Sequence, residues 1–236
     1  MTTLKSSLKL RHEEFEAHFA LAKALEDRMM LEAPIGSVEL SPRHINTLKS
    51  GLIIHLYNVE EAIMSQALTL LGGAVCAAEP RRWTEHSLRE WLRESIVGKL
   101  SESSEDGRLT TVFVASKELL SGSPLTSLPM KKPSGTWDDK LIAAFAARMN
   151  ITFTMPPDMW RKIAAQSEYG DKTPLQFLAE RRNAIAHGRR SFEAGANDLD
   201  LIEIRKLSEV TLEYLSYAAD AIELHLANEA HLVPLA

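Results

Sequence analysis

The chain has very little cysteine and lacks the marks of a secreted or membrane-spanning protein. Cys76 is the only cysteine in 236 residues, which excludes an intrachain disulfide and any zinc site that needs two or more thiolates. No stretch approaches the ~18 uninterrupted apolar residues of a membrane span, and the first residues, Met1–Lys5, run into charged sequence. We therefore expect a protein of the reducing cytoplasm, without a secretion signal or a membrane partner.

The chain also has no excess of positive charge and no glycine-rich phosphate loop. Its 27 Lys and Arg residues against 32 Asp and Glu residues give a net charge of −5. Non-specific nucleic-acid affinity comes mainly from neutralisation of phosphates by basic side chains, so this balance argues against polyanion binding over the whole surface. Any nucleic-acid site must be a local basic patch.

Glycine is scarce and helix-forming residues are common, which predicts an all-α fold. We expect one domain, residues 1–236, with a loop-rich insertion at about residues 99–136. Start and stop signals divide the chain into about seven helical segments. These segments cover residues 4–30, 41–73, 84–97, 140–149, 159–167, 174–187 and 198–228.

The predicted insertion contains mostly loop signals. Residues 101–106 are polar, and residues 121–136 are rich in Ser, Pro, Gly and Lys, so both are predicted as loops. The β-branched residues of Thr110–Val114 are compatible with a short strand, although isolated strands are rarely stable.

Two other candidate sites are weak. Cys76 has no activating partner in the sequence and is expected to be an inert, buried thiol. His12 and His18 are six residues apart, which is a poor spacing for two metal ligands on one helix face. We expect both histidines in solvent, with Glu16 beside His12.

The segment Pro174–His187 places a charge on its predicted core face. At ~100° per residue, Arg182 falls in the middle of an apolar stripe. The stripe consists of Leu175, Leu178, Ala179, Ile185 and Ala186. Because an unpaired guanidinium is very costly to bury, Arg182 must meet a carboxylate or a bound anion.

Polar and basic residues crowd the C-terminal end of the same predicted helix. Asn183 lies four residues before His187, so the two share a neighbouring face. The helix dipole favours a protonated imidazole at this end. Arg181, Arg189 and Arg190 make a local basic patch there, which we predict to bind substrate.

The second predicted helix offers a carboxylate for Arg182. Its apolar periodicity places Glu60 at the centre of the core-facing stripe and Glu61 at the edge, beside Tyr57. An acid on one core face and an arginine on another predict an ion pair. Periodicity favours Glu60 as the partner.

These residues resemble the HEPN domains of bacterial toxins and antiviral ribonucleases. The mark of that family is an Arg, usually followed by a polar residue, a few positions before a His near a helix end, as in Arg182–His187. The resemblance is closest to the MAE-type branch and covers roughly residues 50–226. Its shared segments are Leu56–Asn58 with Glu61, Pro133–Gly135 with the helix after it, and Ala186–Gly188 with Ser191-Phe192.

The resemblance implies a HEPN-like helical bundle that acts as a metal-independent endoribonuclease without a cofactor. Such a protein is a toxin or an antiviral-defence effector that works as a homodimer on RNA, with an antitoxin or another regulatory protein as a further partner. His187 would transfer protons for attack of the RNA 2′-OH, and Arg182 would stabilise charge on phosphorus. Asn183 would orient the substrate or His187, and Glu61 would hold Arg182.

The sequence leaves alternatives open at this point. Arg182 and His187 also fit a satisfied core ion pair and an ordinary helix-end histidine. The whole chain also fits a catalytically inactive HEPN-like module that dimerises or binds a partner protein. For the carboxylate, periodicity favours Glu60 and the family alignment favours Glu61.

Overall fold

A computed structural model describes residues 3–100, 104–125 and 130–234, and these ranges are helical without a sheet. The all-α prediction is confirmed. The helices are α1 (Leu4–Met30), α2 (Pro42–Ala77), α3 (Glu85–Leu92), α4 (Gly98–Leu100), α5 (Glu105–Leu120), α6 (Asp139–Arg148), α7 (Pro157–Lys162), α8 (Pro174–Ala186) and α9 (Leu201–Ala227). Among these described helices, none has the length and apolarity needed to cross a membrane.

The capping signals in the sequence mark real helix starts. The Thr3 hydroxyl accepts the Ser6 backbone N–H at 3.1 Å and begins α1. Thr173 and Gln176 form a capping box at the start of α8, with Pro174 in the first helical turn. Both starts agree with the sequence prediction.

The second helix is longer than predicted. It does not stop at Gly72-Gly73 but continues to Ala77. Val75 and Cys76, which follow the two glycines, are buried, and their packing outweighs the poor helix propensity of glycine. Burial also raises the pKa of the Cys76 thiol to about 11, in agreement with the predicted inert cysteine.

The segment predicted as an irregular insertion contains α5. Ser104 begins this helix, because its hydroxyl accepts the Gly107 N–H at 3.2 Å. Glu105 and Asp106 add the negative charge that favours a helix N-terminus. The short strand considered at 110–114 is therefore wrong.

The remaining predicted boundaries differ in smaller ways. Glu105 and Asp106 are helical, so the loop predicted over 101–106 is wrong at its end, and residues 101–103 and 126–129 lie outside the described residues. The helix predicted over 84–97 is α3 followed by a π-helical turn and α4, because Gly98 keeps a helical conformation instead of stopping the chain. The helix predicted over 159–167 ends at Lys162.

The two histidines of α1 have different environments. His12 is exposed and lies 3.3 Å from Glu16, as predicted. His18 is half-buried, with its Nδ1 3.2 Å from Nδ1 of His55, so its predicted position in solvent is wrong. Burial and the charge of His55 lower the pKa of His18.

The helices form two compact units. The first comprises Met1–Ile63, Thr136–Leu141 and Thr154–Ala218, and the second comprises Met64–Gly135, Ile142–Phe153 and Ala219–Ala236. Buried residues of the first unit include Leu4, Phe15, Ile53, Leu56, Leu175, Leu178, Ile204 and Leu215. Those of the second include Leu71, Val75, Trp83, Trp91, Phe145 and Ile222. All predicted site residues belong to the first unit, and the single-domain count stays a prediction.

Candidate active site

Tyr57 and Glu61, one turn apart on α2, both contact Arg182 of α8. The Cζ of Arg182 lies 3.7 Å from the centre of the Tyr57 ring, and its Nη2 lies 3.5 Å from Oε2 of Glu61. The face of an aromatic ring attracts a cation electrostatically. Arg182 therefore rests on an aromatic ring with a carboxylate at its side.

Tyr57 is fixed beneath the guanidinium. Its side chain is fully buried, and its hydroxyl accepts the backbone N–H of Trp137 at 3.2 Å. Burial raises the pKa of Tyr57, and the opposing positive charge of Arg182 does not cancel this effect. The ring is therefore a buried, hydrogen-bonded support on which the guanidinium rests.

The ion pair between Arg182 and Glu61 is loose. Their contact is 3.5 Å long, and the Glu61 side chain is 42% exposed against 19% for Arg182. Within the described residues, the buried Nε of Arg182 has no hydrogen-bond partner. A guanidinium carries five N–H donors, and this contact does not saturate them. The partly exposed guanidinium therefore has N–H donors that the single contact with Glu61 does not occupy.

Glu60, the other candidate carboxylate, lies in the core of the first unit. It is fully buried, and the ion-pair contact to Arg182 comes from Glu61. Burial, together with negative charge that includes Glu60, raises the pKa of Tyr214. Periodicity thus located the core-facing acid, whereas the family alignment pointed to the acid that touches Arg182.

Asn183 and His187 lie at the C-terminal end of α8. The side-chain amide of Asn183 donates to Oγ1 of Thr136 at 2.9 Å. His187 is the C-cap, and its backbone N–H donates to the Asn183 carbonyl at 3.0 Å, while its side chain is exposed. Of the three predicted catalytic residues, His187 is the most open to solvent.

A tight turn at Gly188 ends α8 directly after His187. Gly188 has φ +69°, a left-handed conformation that side chains other than glycine rarely adopt. Its N–H donates to the Ile185 carbonyl at 3.1 Å, and the Arg190 N–H donates to the Ala184 carbonyl at 2.9 Å. The turn therefore sends the following segment, residues 189–198, back toward the helix.

Arg181 has an environment that the sequence did not predict. It is only 8% exposed, and its guanidinium donates to both carboxylate oxygens of Asp198, at 2.6 and 2.9 Å, and to the Gly195 carbonyl at 3.0 Å. It also lies 4.8 Å from the centre of the Phe177 ring. Because these partners occupy the guanidinium, the geometry does not agree with the substrate-binding role predicted for Arg181.

The close approach of residues 189–198 depends on Gly195. A Cβ at this position would lie 2.5 Å from Oγ of Ser50 and 2.7 Å from side-chain carbons of Ile185. Only glycine fits without a shift of these neighbours, and its carbonyl reaches Arg181 as a result. No local pattern in the sequence identifies this contact.

The other two arginines of the predicted basic patch also differ from each other. Arg190 donates to the Ala194 carbonyl at 3.3 Å and to Asp198 at 3.2 Å. Burial raises the pKa of Asp198, but hydrogen bonds and charge from Arg181 and the charge of Arg190 outweigh burial and hold this pKa below its ordinary value. Arg189 is exposed, and no ion pair or hydrogen bond to another described residue holds its side chain.

The site as a whole combines groups that are chemically suited to anion binding and to proton transfer. An arginine rests on a ring and a carboxylate, a fixed amide follows it, and an exposed imidazole stands at the helix end. Such groups can stabilise developing negative charge and exchange protons with a substrate. Across the described ranges, no group of three or more His, Cys, Asp or Glu side chains is arranged to hold a metal ion.

The protein is all-α, with Arg182, Asn183 and His187 near the end of one helix and with Tyr57 and Glu61 of another helix in contact with Arg182, and these features define its class. The family model described as MAE-like HEPN matches residues 1–230. The chain belongs to the HEPN family, in its MAE-type branch. No curated protein and no solved structure matches the chain at a significant level.

Proposed function

We propose that this HEPN protein is a metal-independent endoribonuclease that cleaves RNA in a homodimer. The observation that carries the proposal is the state of Arg182, which is positioned by Tyr57 and Glu61 yet not saturated by them. A preorganised guanidinium of this kind stabilises the charge that develops on a phosphodiester during cleavage.

His187 supplies the proton transfer in this proposal. Its exposed imidazole takes the proton from the RNA 2′-OH, whose oxygen then attacks the adjacent phosphorus and expels the 5′-oxygen of the next nucleotide. The expelled 5′-oxygen takes up a proton from water or from the protonated imidazole, so the products are a 2′,3′-cyclic phosphate and a 5′-hydroxyl. Asn183, fixed by Thr136, orients the substrate or the imidazole through its remaining amide oxygen.

The positions of Arg182 and His187 on one helix favour a composite site. Five residues at ~100° and ~1.5 Å each separate the two side chains by roughly 140° around the axis and roughly 7.5 Å along it. One phosphate is therefore poorly placed to contact both residues of the same α8. In a two-fold dimer with facing α8 helices, Arg182 of one copy and His187 of the other lie on the same cleft.

The chemistry of the side chains in the site supports metal independence. Two-metal nucleases gather several carboxylates around ions roughly 4 Å apart, whereas this site offers Arg, Asn and His, with its acid engaged by Arg182. The substrate's own 2′-OH is then the nearest nucleophile, so DNA should be spared.

The direct test is digestion of a defined RNA by purified protein in EDTA, with end groups identified by mass spectrometry. We expect cleavage with 2′,3′-cyclic phosphate or 3′-phosphate ends and no cleavage of the matched deoxy oligonucleotide. Dependence on Mg²⁺ or 3′-hydroxyl ends would contradict the mechanism. A stable dimer with no cleavage would favour a non-catalytic dimerisation or partner-binding module.

Mixed dimers test the composite site. Inactive Arg182→Ala and inactive His187→Ala chains, carrying different tags, are co-expressed, and the heterodimer is purified through both tags. We expect part of the wild-type activity to return. A cleft that combines Arg182 of the His187→Ala chain with His187 of the Arg182→Ala chain has both functional residues. No rescue in verified heterodimers would contradict a site shared between two chains.

In the cell, such an activity is that of a toxin or an antiviral-defence effector restrained by an antitoxin or another regulatory protein. Induced expression should arrest growth and degrade cellular RNA, whereas the His187→Ala protein at the same level should do neither. Equal growth arrest by both proteins would separate toxicity from RNA cleavage.

A further inference from the structure

The segment after α8 presents an aromatic ring and a cation to solvent. Phe192 is 46% exposed, and Arg189 is exposed three residues before it. Single exposed apolar side chains are common on protein surfaces, so exposure alone has no functional meaning. The surroundings of this pair make it different.

The backbone that carries the pair is held in place at several points. The Arg190 N–H donates to the Ala184 carbonyl at 2.9 Å, and the Arg190 side chain donates to the Ala194 carbonyl at 3.3 Å. The Ala194 N–H donates to the carbonyl of Ser191 at 3.0 Å and to its hydroxyl at 3.1 Å. A surface that is already ordered loses little conformational entropy when a ligand binds.

The pair also lies close to the residue assigned to proton transfer. Phe192 follows His187 by five residues, so at most roughly 18 Å of extended chain separates them. The turn at Gly188 shortens this path, because it reverses the chain onto α8. A separation of this size is spanned by a few nucleotides of an RNA strand whose reactive phosphate lies at His187.

We propose that Phe192 and Arg189 form a subsite for single-stranded RNA, in which the Phe192 ring stacks on one base and Arg189 binds a neighbouring phosphate. The subsite deepens the proposed ribonuclease function and rests on it. Stacking needs an unpaired base but no particular base, because every base has a π face. The pair therefore selects unpaired RNA without reading its sequence.

The test compares Phe192→Leu, which keeps an apolar side chain but removes the ring, with the wild-type protein on two substrates. One is a single-stranded oligoribonucleotide that the wild-type protein cleaves, and the other is the dinucleoside monophosphate of the cleaved step. We expect kcat/KM to fall about tenfold on the oligonucleotide and to stay unchanged on the dinucleotide. Phe192→Tyr should retain wild-type activity on both.

Two controls separate the ring from a general loss of surface. Phe113→Leu changes a phenylalanine that is 68% exposed on α5 and should leave both substrates unaffected. Arg189→Ala should lower oligonucleotide cleavage and reduce its dependence on salt, since one phosphate contact is lost. Wild-type cleavage of the oligonucleotide by Phe192→Leu, or an equal loss on both substrates, would overturn the subsite.

A binding experiment keeps this result distinct from failure of the proposed function. A fluorescein-labelled, mixed-sequence, single-stranded RNA is titrated into the His187→Ala protein with and without Phe192→Leu. We expect about a tenfold weaker Kd with the second change and no such difference for a duplex RNA. Phe192-dependent binding without cleavage by the wild-type protein would reject the ribonuclease but support the subsite, whereas equal Kd values would reject the subsite.

Discussion

Arg181 and Arg182 are neighbours in α8, but they lie on different faces of the helix and their side chains have opposite environments. Arg181 is buried, with its donors taken by Asp198 and Gly195. Arg182 has a single ion-pair contact of 3.5 Å with Glu61 and lies over the Tyr57 ring. A guanidinium whose N–H donors are all occupied stabilises the fold, whereas one with unoccupied donors can bind an external anion.

The same contrast appears in the carboxylates. Asp198 receives hydrogen bonds from Arg181 and Arg190, and so links α8 to the segment that follows it. Glu61 makes one 3.5 Å contact with Arg182, and its side chain is 42% exposed. We infer that the Arg181 face contributes mainly to stability and the Arg182 face mainly to function.

The largest expected effect is on RNA cleavage, at the Arg182 face of α8. Arg182→Ala and His187→Ala should each lower the rate of RNA cleavage by roughly 10²–10⁴, because in the proposed mechanism each removes a group that acts on the reacting phosphate. The free energy of unfolding should fall by about 1–3 kcal/mol for Arg182→Ala and by less than ~0.5 kcal/mol for His187→Ala.

The matched control for His187 is His12→Ala, which removes another exposed imidazole. Cleavage of a defined RNA and urea unfolding are measured on the same preparations. His12→Ala should keep the wild-type rate. Full cleavage by a verified His187→Ala protein would contradict the catalytic role proposed for His187. It would also contradict the functional role that we infer for the Arg182 face.

The next largest effect is on the free energy of unfolding, at the Arg181 face of α8. Arg181→Ala should lower the free energy of unfolding by about 2–3 kcal/mol, because charge-assisted hydrogen bonds to Asp198 are lost and the buried Gly195 carbonyl loses its donor. Arg190→Ala, whose side chain is 40% exposed, should change it by less than ~1 kcal/mol.

Activity per folded molecule sharpens this prediction. Under conditions where the Arg181→Ala protein is fully folded, its rate of RNA cleavage should stay within a few-fold of the wild-type rate. Unchanged urea unfolding together with abolished cleavage would reverse the roles that we assign to Arg181 and Arg182.

The fold could be predicted from local signals wherever these signals decide the structure. Caps such as Thr3 and Thr173 mark helix starts because the hydroxyl satisfies a backbone donor within the same turn. The extension of α2 past Gly72-Gly73 could not be predicted in this way, because distant packing decides it. The helix at 105–120 was missed although Ser104 and its acidic neighbours carry an N-cap signal.

The site could be predicted in part. Arg182, His187 and Glu61 came from a motif and its family context, and the structure brings Glu61 into contact with Arg182. The burial of Arg181 could not be predicted, because it depends on a chain reversal that brings Asp198 back over 17 positions. Helix periodicity describes one face at a time and carries no information on such a contact.

The smallest expected effect is a pH dependence of the free energy of unfolding, which arises from Asp198 at the Arg181 face. Asp198 has a pKa below its ordinary value, since contacts with Arg181 and the charge of Arg190 outweigh the opposing effect of burial. The folded protein therefore binds this proton more weakly than the unfolded chain, and acid favours unfolding. The resulting stability is fully present above the ordinary Asp pKa of ~3.9 and is lost as the pH falls through the lower folded pKa.

Urea unfolding of the wild-type and Asp198→Asn proteins should therefore differ by a constant amount between about pH 5 and 7, and the difference should shrink below about pH 4. Glu193→Gln, which removes an exposed ion pair with Arg43, should have little effect throughout. A wild-type advantage over Asp198→Asn that persists undiminished in acid would show that the carboxylate charge does not stabilise the Arg181 face.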